Sequence, residues 1–133
     1  MATFNKFNSF VEDLAEKQHN LQTDQLRLAL TNTAPTAGNT TLSNITEISY
    51  TNVSSRDLVV ASSSQTGGLY SLFINNLTLN ATGSVGPFRY LVIFNSANNL
   101  LIGWVDRGSS LTLANGESLA VNFDQVNGAI RVQ

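Results

Sequence analysis

Apolar and polar positions along the chain change period several times, and each change predicts an element. Near the start, Phe4, Phe7, Val11, Leu14 and Leu21 recur at steps of three, four and seven, with Phe10 widening the stripe. That 3.6-residue period predicts an amphipathic helix over about residues 4–19. Ser9 and Glu12 have the spacing of a capping box, and His19-Asn20 ends the stretch. A stripe this apolar must pack on the protein's own sheet, the favoured choice, or on another subunit.

From residue 25 onward the period drops to two. Leu26, Leu28 and Leu30 alternate with Arg27, Ala29 and Thr31, the pattern of a strand with one buried face. A turn-rich loop follows over residues 33–44, with Pro35 and Gly38; loops of that length are usually functional or mobile. "ITEISY" alternates again, and "DLVVASSS" reads as a weaker strand. After Gly67-Gly68, "LYSLFINNLTLNAT" reads as one strand, carried by Tyr70, Leu72 and Ile74 and continued by Leu77 and Leu79.

The densest apolar region lies at residues 84–108. Phe88, Tyr90, Val92 and Phe94 are expected on one face, Leu91 and Ile93 on the other, which places this strand centrally. "NLLIGWVD" answers it across the turn at residues 96–99, with Gly103 marking a bulge or a close approach beneath Trp104. Leu111 and Leu113, then Leu119, Val121 and Phe123, flank Asn115-Gly116; Asn-Gly predicts a hairpin. Asn127-Gly128 repeats the signal before Ile130 and Val132. The fold expected is mainly β: an antiparallel β-sandwich or small barrel with one N-terminal amphipathic helix. All 133 residues form a single domain, helix about 4–19 and β-rich 25–133.

Composition narrows the function classes. Charged residues make up 12% of the chain against a usual value of about 25%, while Asn, Ser and Thr supply about a third. A surface with few ions to desolvate favours standing protein–protein contacts. Net charge is −2 and the seven basic residues are scattered, so no nucleic acid is expected as partner. There is no cysteine, and the start lacks the apolar core of a secretory signal. No run approaches the about 18–20 apolar residues of a membrane span, so no membrane is expected either.

Candidate chemistry is sparse. His19 is the sole histidine and sits at the expected helix C-terminus, where an imidazolium is favourable. Asp57, Asp106, Glu117 and Asp124 lie at strand ends or turns, where carboxylates serve solvation more often than glycoside chemistry. No calcium or phosphate loop occurs. Trp104, Tyr90, Tyr70 and Phe88 are candidates for a sugar-stacking platform but are more simply core. Arg89 and Arg107 either pair with Asp106 or Asp124 or make interface contacts. No catalytic, cofactor or metal residue is assigned, and no enzyme is expected.

Three stretches carry a resemblance: "FNKFNSFVEDLAEKQHNL", "LRLALTNTAP" and "GPFRYLVIFN" with "LIGWVDRGSSLTLANGESLAVNF". Together they are similar to a family of short virion proteins of tailed bacteriophages, over nearly the whole chain. The N-terminal stretch is the more specific; the later one resembles β-domains found more widely in phage structural proteins. Asp106-Arg107-Gly108 departs from the pattern, in which an aromatic stands beside the Asp. The resemblance implies a structural virion component made in the host cytoplasm, with the major capsid protein or other virion subunits as partners, as a homo-oligomer or lattice-bound. Capsid cement or decoration is the expected role; a tail-tube, connector or other adaptor and a carbohydrate- or receptor-binding module are the alternatives. The expected contact residues are Phe4, Phe7, Phe10, Pro35 and Leu42, on the N-terminal segment and the 33–44 loop.

Overall fold

The computed structural model describes residues 4–133 as a mainly β protein with antiparallel sheets, one α-helix and no closed barrel. The largest sheet has four strands. β1 (Phe4–Lys6) pairs with β7 (Leu100–Leu113), β7 with β6 (Val85–Asn95), and β6 with β2 (Leu26–Thr31). The central placement of β6 expected from its two apolar faces is observed. β3 (Val60–Thr66), β4 (Leu69–Ile74) and β9 (Ile130–Val132) form a second sheet, and β5 (Leu77–Asn80) pairs with β8 (Ser118–Val121).

The main core lies between the large sheet and the smaller ones. Leu26, Leu28, Leu30, Leu91, Ile93 and Ile102 meet Leu72, Ile74, Leu79, Val121 and Ile130 there. A second core covers the other face of the large sheet, where Ala29, Val92, Phe94 and Leu101 pack with Phe7 and Ile45. The 33–44 loop closes this face. Leu42 donates its N–H to Asn99 O, Leu101 N–H reaches Thr40 O, and Pro35 is buried.

The N-terminus differs from expectation. Residues 4–6 are strand, and α1 spans only Asn8–Ala15. Phe7 is its N-cap, without a side-chain cap; the Ser9–Glu12 box is not formed, since Ser9 already lies inside the helix. The helix stops in a Schellman motif. Lys17 takes φ 67°, Gln18 N–H bonds Asp13 O, and Lys17 N–H bonds Leu14 O. The stripe also divides. Phe7 enters the second core, Phe10, Leu14 and Leu21 pack on the main one, and Val11 is exposed. The helix therefore packs on its own sheets.

Three further expectations are corrected. "ITEISY" forms no strand beyond a Thr31–Glu47 bridge. The long 69–79 strand breaks at Asn75-Asn76 into β4 and β5. Phe88 joins Leu91 and Ile93 in the main core instead of Val92 and Phe94. Phe88 faces Leu111 and Tyr90 faces Asp106, so residues 107–110 bulge opposite Arg89 and the local twist turns Phe88 over.

Neither Asn-Gly pair makes a hairpin. Type I′ needs positive φ at both central residues, and only Gly116 and Gly128 have it. With Glu117 N–H on Ala114 O and positive φ at Gly116 alone, the first turn has the type II signature. It carries the chain out of the large sheet, and β8 pairs with β5 instead of β7.

Candidate functional site

The two margins of the large sheet are built differently. At the β2 margin, residues 45–58 run alongside as an irregular strap. Ile48 N–H donates to Leu30 O, Leu28 N–H to Arg56 O, and Leu58 N–H to Leu26 O. Where a carbonyl is missing, the Tyr50 hydroxyl accepts from Leu30 N–H at 2.9 Å and donates to Glu47 at 2.7 Å. Burial and the Glu47 carboxylate both raise the Tyr50 pKa, keeping the phenol protonated. The Arg56 guanidinium lies 3.5 Å over the Tyr50 ring. The strap also reaches the other side of the core: Ser54 N–H bonds Asn80 O of β5, Thr82 N–H bonds Asn52 O, and just past the strap's end Val59 O accepts Asn75 N–H. This margin is closed by hydrogen bonds to both sides of the core.

The β1 margin is open. Among the described residues no strand lies beyond β1, and none pairs with the outer side of β8 or β9. Between them runs a cleft of about 940 Å³. Its floor is Leu28, Leu91, Ile93 and Val121, all buried. Its half-exposed walls are Phe4 and Val105 on the large sheet, Leu119 and Phe123 opposite.

Two arginines stand in this lining, Arg107 and Arg131. The bulge places Arg107. Asp106 accepts Arg89 Nε at 2.7 Å, Arg89 Nη2 at 3.0 Å and Gly108 N–H at 2.8 Å, with Gly108 at φ 93°. The Arg89 bonds come first in holding Asp106 below the usual carboxylate range. Arg107, beside it, bonds Ser109 O and no other group among the described residues. Arg131 leaves from β9. Neither guanidinium makes an ion pair among the described residues. Asp124, also in the lining, is occupied: its Oδ1 accepts the N–H groups of Asn127 and Val126, which lower its pKa, with a smaller pull from the charge of Arg131. The 122–129 excursion that carries it stands opposite residues 73–76. Asn76 Oδ1 fixes it by accepting Phe123 N–H.

Of the five expected contact residues, only Phe4 lines this cleft. Phe7 is 0% exposed and packs on Trp104, ring centroids 4.6 Å apart. Phe10 and Pro35 are buried too, and Leu42 packs against the second core. Phe7, Phe10 and Pro35 are therefore withdrawn as contact side chains, because each is buried within the protein's own fold. The aromatic platform is not assembled either: Phe88 lies in the main core and Trp104 beside the second. The acids mostly serve turns and pairs, Asp57 with Arg27 and Glu117 with Ala114 N–H.

His19 lies past the helix end and is 6% exposed, so it is not at the helix terminus expected of it. Asn95 Oδ1 accepts Ala97 N–H, and its Nδ2 donates to Asp24 at 2.6 Å and meets His19 Nδ1 at 3.1 Å. That leaves the ring proton on Nε2, which has no partner among the described residues; neither do Ser9 Oγ and Asp13 Oδ2 of α1. Burial lowers the His19 pKa against the pull of Asp13 and Asp24. Among the described residues, no group of three or more His, Cys, Asp or Glu is placed to hold a metal ion.

The chain matches no protein-family model, no curated protein and no solved structure. The open margin was missed at the sequence level because Leu119, Val121 and Phe123 read as half of a hairpin. The signal that marks it is Asp106–Ser110, a polar stretch with a charge and a flexible residue between the two apolar ends of β7.

Proposed function

We propose that this chain is a structural protein of a tailed-phage virion, folded as an antiparallel β-sandwich. We assign it to capsid cement, binding the major capsid lattice and stabilising it without catalysis. The observation that carries this reading is the open β1 margin, an apolar trough between strand ends on a chain with few charges. A surface of that kind is suited to a standing contact with another subunit. The resemblance of the 4–21 and 86–123 stretches to short virion proteins supports the same reading. An interface of about 800 Å² per partner is enough for specific attachment, and repetition over a lattice multiplies its effect.

The test mixes purified protein with particles lacking it, pellets them at low and high salt, and challenges them with heat. Saturable, salt-tolerant binding that raises the rupture temperature is expected. Binding to tails alone assigns the protein to the adaptors, and binding to cell-surface glycan alone makes it a recognition module; either result removes the cement reading.

A further inference from the structure

We propose that the open margin receives an extended strand from a partner chain, with apolar side chains at alternate positions and an Asp or Glu opposite Arg107 and Arg131. The proposal deepens the assembly reading and rests on it only in taking the occupant to be a protein.

Three observations converge. The first is backbone. The large sheet ends at β1 and the opposite sheets end at β8 and β9, so the cleft is bordered by strands that pair on one side only. Such margins accept an added strand through main-chain bonds, while pockets for alternate side chains supply specificity. Three- and four-residue borders suit an added segment of about four to six residues, some 13–20 Å at about 3.3 Å per residue. The second is the lining. Half-exposed Phe4, Val105, Leu119 and Phe123 stand over a buried apolar floor, so one face of the arriving strand must be apolar. The third is charge. Two guanidiniums without close ion pairs stand in that lining, on a chain of net charge −2; Asp124, bonded within its own loop, feels the charge of Arg131 only from beyond ion-pair contact. A carboxylate on the incoming strand satisfies them, in a fork geometry where it reaches both nitrogens of one arginine.

The same charges argue against a second copy. In a two-fold contact the patch must supply its own counter-charge, and the one acidic side chain in its lining, Asp124, is already bonded within its own loop. A small amphipathic anion satisfies the arginines and the walls but leaves the strand borders unpaired.

The test selects displayed random eight-residue peptides on the intact protein. The expected pool alternates apolar with polar residues, contains Asp or Glu, and excludes proline from its centre. A synthetic peptide from that pool should bind at least tenfold more weakly to the Arg107→Gln/Arg131→Gln double variant and unchanged to Lys17→Gln, with melting curves checking that each variant is folded. Failure to enrich, a basic or non-alternating pool, or binding indifferent to the double variant overturns the proposal. So does displacement of the peptide requirement by dodecanoate alone, or a concentration-dependent dimer broken by Leu119→Lys. Because no particle enters this test, peptide binding with failed particle binding rejects cement and keeps the strand site.

Discussion

Along β2 the large sheet is sealed by a segment with almost no regular structure, and along β1 it is left open by segments that are regular strands. The sealed margin uses whatever groups reach: the N–H groups of Ile48 and Leu58, the Arg56 carbonyl, the Tyr50 hydroxyl and the Arg56 guanidinium, which bonds Leu28 O. The open margin has the better geometry for pairing and no partner among the described residues. Regularity is therefore not what protects a sheet edge here. Coverage is, and here it is supplied by scattered main-chain and side-chain groups. A margin sealed in that way is hard to extend, whereas one that ends in short regular strands keeps the hydrogen-bonding pattern a newcomer needs.

That contrast can be broken by mutation. The largest effect belongs to Leu58→Ala, which empties a 3%-exposed site under the strap and should cost about 2–5 kcal/mol in chemical denaturation. A loss below about 1 kcal/mol would show that the strap lies on the core without belonging to it. Gly103→Ala should come next. Its Cβ would strike the Phe4 ring and sit 2.7 Å from Asn5 O, so β1 must move, at about 1–3 kcal/mol. Hydrogen exchange should accelerate at β1 and not along the strap; acceleration at both margins would mean the two are not independent.

Tyr50→Phe leaves Leu30 N–H without its acceptor and should cost about 1–2 kcal/mol, with faster exchange at Leu30 itself. Acid acts elsewhere. The folded-state pKa of His19 is lowered from 6.5, so the unfolded chain binds the proton more readily. Stability is complete above that value and falls as pH drops below it. A melting series from high to low pH should show the decline, and His19→Gln should flatten it without altering either margin. Smallest is Leu119→Ala at the open margin, at about 1 kcal/mol or less, because that side chain is only half-buried. A cost equal to that of Leu58→Ala would erase the distinction between the two sides.

The elements legible in the sequence are those decided by local pattern. β2 and the β6–β7 pair follow their alternation, and β6 is central because both its faces are apolar. What was not legible depends on distant partners. Phe4 sits at helical spacing yet becomes strand, because Gly103, about a hundred residues away, leaves room for its ring. Phe7 and Phe10 share one apolar stripe in the sequence and enter opposite cores. The Asn-Gly pairs are strong local hairpin signals, overridden when β8 and β9 find β5 and β4. Residues 45–50 alternate like a strand, but a phenol takes the place of a carbonyl. The cleft was illegible for the same reason: its walls come from residues 4, 105, 119 and 123, which no window of sequence brings together.

The pairing of Phe4 with Val105 also fixes an order of events when the chain is made. Residues 4–31 leave the ribosome before any of their sheet partners exist, and β2 must wait for β6, whose Asn95 meets Leu26. The hairpins β3–β4 and β6–β7 close over short loops and form without waiting. β1 has nothing to join until β7 is present. Loop closure over such separations places this topology among slow folders, in the range of about milliseconds to seconds. The open margin is therefore completed late, because β1 needs β7 and the facing borders, β8 and β9, are made after it.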